Sequence, residues 1–104
     1  MKRIHNGMVY DTDKAERIAS YKYGDLNDAK YVIEELYKTK NDRYFLYAQG
    51  GALSEYGEKV GTNSYSGNSV ILPLSVDEVF DWAEDRNINS QKLVEELSDY
   101  LDEA

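Results

Sequence analysis

The sequence predicts an α+β domain: an antiparallel sheet of about four or five strands, with one short early helix and two acidic C-terminal helices. Three observations carry that prediction. "RYFLYAQGG", residues 43–51, sets strand-forming aromatics against a double glycine. "SVDE", residues 75–78, has the form of a helix-capping box, and acids and bases are unevenly divided along the chain. A chain of 104 residues is one ordinary domain, 1–104, able to bury most of its apolar side chains around a single core.

In chain order, "KRIHNGMVYD" reads as a hairpin, because Asn6-Gly7 tolerates the two positive φ angles of a type I′ turn. Asp11 and Thr12 then stand where they can cap the early helix. Ala15, Ile18 and Ala19 fall at helical spacing within it, and Asp13 and Glu16 suit the positive end of its dipole. That helix fades near Gly24. "AKYVIEELYK", residues 29–38, fits two patterns: Ala29, Val32, Ile33, Leu36 and Tyr37 make a helical stripe, while Tyr31, Ile33 and Tyr37 alternate as in a strand with one polar exception. The polar turn "KTKND" and the strand "RYFLYAQ" after it favour the strand, which supplies an antiparallel mate. Gly50-Gly51 ends that pairing, having no side chains to pack and no preference for extended angles.

Residues 52–68 are a Gly, Ser, Asn and Tyr-rich connection, with a strand fragment expected near Glu58 to Val60. "SVILPLS" follows as an apolar strand, placed at an edge or ended by Pro73. Ser75 can accept from the amide of Glu78 while Glu78 reaches back to the amide of Ser75, so a helix starts there. Its buried stripe is Val76, Val79, Phe80 and Ala83; Asp77, Asp81, Glu84 and Asp85 lie mainly outside it. "RNINS" breaks the helix, and Asn89 or Ser90 caps an acidic C-terminal helix over 89–103, with Leu93, Leu97, Tyr100 and Leu101 on its apolar face.

The chemistry that composition excludes is extensive. There is no cysteine, hence no disulfide, thiolate metal site or thiol nucleophile, and the one histidine, His5, has no partner suggested by spacing. No apolar run approaches the roughly 20 residues of a membrane span, and the first ten residues lack a signal-peptide stretch, so a soluble intracellular protein is expected. Helical carboxylates four apart, such as Asp77 with Asp81 and Asp81 with Asp85, are able to share a cation, but an EF-hand pattern is absent. Gly50-Gly51 lacks the lysine and serine of a P-loop. The reading is of a non-enzyme without cofactor or metal.

Charge narrows the partners. The net charge is −8; residues 1–74 hold 10 acids and 10 Lys/Arg, and residues 75–104 hold 10 acids with only Arg86 and Lys92. Such one-sided charge repels free nucleic acid and favours encounter with basic surfaces. Against this, Lys38, Lys40 and Arg43 alternate with Tyr37, Tyr44, Phe45 and Tyr47, an arrangement that can stack single-stranded bases. The loop residues Tyr56, Asn63 and Tyr65 have the composition of an adaptable binding surface, and an ordered loop tucking Tyr65 onto the sheet accounts for them equally.

The order of segments is familiar as well. "MVYDTDKAERIASY" and "ELYKTKNDRYFLYAQGGALSEYGEKVGTNSYSGNSVILPLSVDEVFDWAED" resemble a family of small phage and mobile-element proteins that includes anti-CRISPR inhibitors of type II CRISPR nucleases. The pieces that carry the likeness are a Y-D-T-x-x-A start, a Y-F-L-Y strand leading into Gly-Gly, an N-x-[WY]-S-G loop and an I-x-P-L-[ST] strand running into the W-A-E helix. They cover about residues 8–85. "TKND" stands where a glycine turn is common, Ala48 replaces a glycine, and the acidic segment 89–104 lies outside the likeness.

The resemblance implies strands at 31–38 and 43–49, and a non-enzymatic inhibitor acting in the cytoplasm of a bacterial host cell. Its partner would be a CRISPR effector nuclease or its guide-loaded complex, with no direct nucleic-acid or membrane binding. Phosphate mimicry by Asp77, Asp81, Glu84 and Asp85 is one route to inhibition, and Tyr56, Asn63 and Tyr65 complete the expected partner-binding set. The alternative is a single-stranded nucleic-acid or general interaction module built on the aromatic hairpin.

Overall fold

The computed structural model describes residues 1–104. Asn6 and Gly7 take φ of 51° and 77°, the two left-handed positions a type I′ turn needs, and join β1 (Lys2–His5) to β2 (Met8–Asp11). A turn over residues 12–15 follows, in which Asp11 accepts from the amide of Asp13 through its carboxylate. The chain then enters β3 (Glu16–Tyr23), where the sequence predicts a helix.

That expectation is corrected by pairing. All of β3 runs antiparallel to β4 (Val32–Lys38), and a register shift between Arg17 and Ala19 leaves Ile18 as an extra residue. The bulge turns both Ile18 and Ala19 toward the core, so a strand reproduces the neighbouring apolar contacts that helical spacing otherwise explains. Ala15, Ile18 and Ala19 offer a helix little apolar area, whereas Ile18, Tyr21 and Tyr23 favour a pleated surface.

β4 turns at residues 39–43 into β5 (Tyr44–Gly50), with Asp42 at φ 61°. A small hairpin of β6 (Glu58–Lys59) and β7 (Tyr65–Ser66) precedes β8 (Asn68–Leu74), which pairs with β5. The principal sheet is thus β3-β4-β5-β8, antiparallel throughout. Two helices follow, α1 (Val76–Arg86) and α2 (Gln91–Glu96). The fold is mostly sheet, with eight strands in three sheets and two helices, in place of the expected α+β arrangement with three helices. The last helix is also far shorter than 89–103, since residues 97–104 leave the helical path.

The sheet is covered unequally on its two faces. Leu36, Leu46, Ala48 and Tyr44 face α1 and α2, meeting Val79, Trp82, Leu93 and Leu97. On the opposite face Phe45 and Ile71 meet Tyr10 of the first hairpin, whose ring stands edge-on to Phe45 at 5.6 Å. Leu36, Phe45, Ile71 and Val79 are at most 1% exposed, each contributing about 1.5–3 kcal/mol relative to exposure. Both sheet edges are partly capped: Arg3 Nη1 donates to Ile71 O at 2.6 Å on β8, and Lys92 Nζ to Arg17 O at 3.0 Å on β3.

The double glycine has a different cause from the one expected. Gly50 remains in the ladder, opposite Val32 and Asn68. Beyond it the chain folds back on residues 29–31, Gly51 N donating to Tyr31 O at 3.0 Å and Leu53 N to Ala29 O at 2.8 Å. A Cβ on Gly51 would collide with the carbonyl of Ala29, and one on Gly50 with the Ser54 hydroxyl, so close approach is what demands glycine.

Candidate functional site

Ser75 caps α1 as its sequence indicates. Its hydroxyl accepts from Glu78 N at 3.2 Å and its own amide donates to Glu78 Oε1 at 3.0 Å. The capping box fixes where the helix begins; along it Val79 and Trp82 are buried, and Asp77, Asp81, Glu84 and Asp85 all emerge on the solvent side. Positions 77, 81, 84 and 85 fall within an arc of about 100° and along about 12 Å of axis. None of the four takes part in an ion pair.

Several acids elsewhere in the chain are paired with bases. Glu35 pairs with Arg17 at 2.7 Å, Asp42 with Lys38 at 3.3 Å, Glu55 with Arg86 at 3.2 Å, and Glu96 with Lys38. Lys38 meets Glu96 at the end of α2, and that contact is the main cause of its raised pKa. The outer side of α1 therefore carries uncompensated negative charge. Neither base of residues 75–104 relieves it, because Arg86 turns inward and Lys92 is bonded to β3.

What holds α1 in place is Glu34, a residue that sequence reasoning missed. It is fully buried in the middle of β4. Its Oε1 accepts from Trp82 Nε1 at 3.0 Å and Arg86 Nε at 2.7 Å; its Oε2 accepts from Arg86 Nη2 at 3.1 Å and from the Tyr56 hydroxyl. Burial pushes the carboxyl up, and the hydrogen bonds from Arg86, Tyr56 and Trp82 more than offset it, holding it below the ordinary range. Burial and the same contact raise the Tyr56 phenol. Arg86 also lies over the Tyr21 ring, 5.4 Å from its centroid. Four donors fill the carboxylate's four acceptor sites, so Glu34 is a structural tie with no lone pair left for a substrate. The even-numbered positions of β4, Val32, Glu34 and Leu36, form its buried face, and a carboxylate on such a face was the one legible signal.

The expected loop residues are not brought together. Tyr56 is half-buried with its hydroxyl on Glu34, which makes it part of the helix-anchoring cluster. Tyr65, 52% exposed, lies on the outside of the β6–β7 hairpin, and Asn63 is exposed in the bend between its strands.

The aromatic hairpin is largely internal: Tyr44 and Phe45 are buried, and Tyr37 stacks on Phe45 at 5.2 Å with 10° between the rings. Tyr47 is half-buried, its hydroxyl donating to Gln49 Oε1 at 3.4 Å. His5 stands beside Asn6 and edge-on to Tyr10, within the first hairpin. No group of three or more His, Asp or Glu side chains converges as a metal site would, and no helix is long and apolar enough to cross a membrane.

No family model, curated protein or solved structure matches this chain.

Proposed function

We propose that this protein is a non-enzymatic inhibitor of anti-CRISPR type, which binds a CRISPR effector nuclease or its guide-loaded complex through the acidic face of α1. The observation that carries the reading is the exposure of Asp77, Asp81, Glu84 and Asp85 on one side of a rigidly anchored helix, with no basic partner. Four charges along about 12 Å of helix give a mean axial spacing of about 4 Å, comparable with the roughly 3.4 Å of helix axis per phosphate on one strand of duplex DNA. A nuclease of this class holds its heteroduplex in a positively charged channel, where such a row competes for the same lysines and arginines. The sequence likeness to a family that includes anti-CRISPR inhibitors supports the choice of target.

The chemistry asked of the protein is electrostatic and positional. Long-range attraction speeds encounter, and the Glu34–Arg86 tie holds the helix that carries the carboxylates, so that little backbone freedom is lost on binding. Cleavage of target DNA by a guide-loaded type II effector, with and without the protein, tests the reading. Dose-dependent loss of cleavage, reversed by added salt, is expected. Unimpaired cleavage by type II effectors at a large excess of the protein contradicts it.

A further inference from the structure

Beyond the charged face, α1 and α2 leave an apolar groove between them. It is open, about 740 Å³ in volume, and lined chiefly by Phe80, Ala83, Ile88, Val94, Leu97 and Leu101. Val94 is 45% and Leu101 42% exposed, although both are large aliphatic side chains beside a well-packed core. Glu84 and Asp102 stand on its rim, and no Lys or Arg lines it.

The occupant follows from charge and shape together. A neutral apolar segment would leave the rim carboxylates partly desolvated without partners, and an acidic one would be repelled. A nucleic acid or anionic lipid surface meets the same repulsion. A basic amphipathic helix satisfies both features: its apolar stripe, repeating at i, i+3, i+4 and i+7, covers the aliphatic floor while flanking Lys or Arg side chains reach the acids.

We infer that the α1–α2 groove is a docking site for a basic amphipathic helix of a partner protein. The acidic face of α1 continues the rim, so one partner can engage both. The inference does not depend on that partner being a nuclease.

The test uses the full chain and a designed peptide of about fourteen residues, long enough for four helical turns, with Leu at i, i+3, i+4 and i+7 and Lys elsewhere. Two comparators keep one feature each: the same peptide with Ser for Leu, and the same Leu stripe with Glu for Lys. Binding is read by fluorescence anisotropy and located by backbone amide shifts.

The Leu/Lys peptide should bind at least tenfold more tightly than either comparator, with shifts centred on Ala83, Ile88, Val94 and Leu101. Val94→Gln and Leu101→Gln should each weaken it several-fold with an unchanged melting curve, since neither side chain is buried. Equal binding of the Ser or the Glu comparator overturns the inference, as do shifts centred elsewhere. So does sedimentation showing that a second copy of the chain closes the groove.

Discussion

Arg86 Nε and Glu34 Oε1 stand 2.7 Å apart, joining the end of α1 to the middle of β4 across 52 residues of sequence. Glu34 is fully buried, while the Arg86 side chain keeps 22% of its exposure. One carboxylate thus collects the helix through Trp82 and Arg86, and the 51–57 loop through Tyr56. The same tie fixes which side of α1 faces water.

Removing the cation should cost more than neutralising the anion. Arg86→Met leaves a buried carboxylate unpaired and is expected to lose about 3–5 kcal/mol. Glu34→Gln keeps one oxygen to accept from Trp82, its amide can donate to the Tyr56 hydroxyl, and Arg86 retains Glu55 and solvent, so about 1–3 kcal/mol is expected. Urea denaturation of both variants checks the order; the reverse order would show that the carboxylate is not dependent on Arg86.

The pair also makes stability depend on pH on the acid side. Glu34 is held below its ordinary value in the folded chain, so the unfolded chain takes up the proton first as pH falls. Its contribution is full above about pH 4.3, the ordinary value for Glu, and is lost as pH drops through the lowered folded value. The stability gap between wild type and Glu34→Gln should therefore hold from neutral pH down to about pH 4.3 and shrink below it. A gap that stays constant would mean Glu34 does not titrate below its ordinary range.

Ser75→Ala should lose about 0.5–2 kcal/mol by stripping the first turn of α1 of its side-chain acceptor. Inhibition should persist wherever the fold does, because Ser75 is not part of the acidic face. Chemical denaturation showing no loss would contradict the capping geometry.

Gly51→Ala should disturb the loop that carries Tyr56, since the added methyl meets the Ala29 carbonyl, a backbone atom that cannot swing aside. A loss of about 1–3 kcal/mol is expected. Amide exchange should quicken at Leu53, whose N–H is bonded to that same carbonyl. Unchanged exchange there would remove the steric account of the double glycine.

What could be read from sequence was local. Ser75 with Glu78 lie three residues apart, and Asn6-Gly7 are adjacent, so both signals act without knowledge of the rest of the chain. β3 has the local signature of a helix because a bulged strand and a helix turn can present the same short set, Ile18 and Ala19, to one side; only the pairing with β4 separates them. The role of Glu34 has no local signature because its partners, Tyr56, Trp82 and Arg86, lie 22 to 52 residues away. Of the seven residues expected to bind a partner, the four on α1 share one face because their spacing matches the helical period. Tyr56 turned inward because the loop after Gly51 folds back on residues 29–31, a path that composition does not encode.

The central claim, that the acidic face of α1 engages the partner, is tested most directly by association kinetics on a guide-loaded type II CRISPR nuclease. Wild type is compared with the Asp77→Asn, Asp81→Asn, Glu84→Gln, Asp85→Asn variant at two salt concentrations. All four side chains are exposed and unpaired, so the variant should keep its fold. The account predicts slower association for the variant, by about tenfold or more at low salt, and a wild-type rate that falls toward the variant's as the Debye length shortens from about 10 Å to about 3 Å. Equal association rates with the same salt response would contradict it.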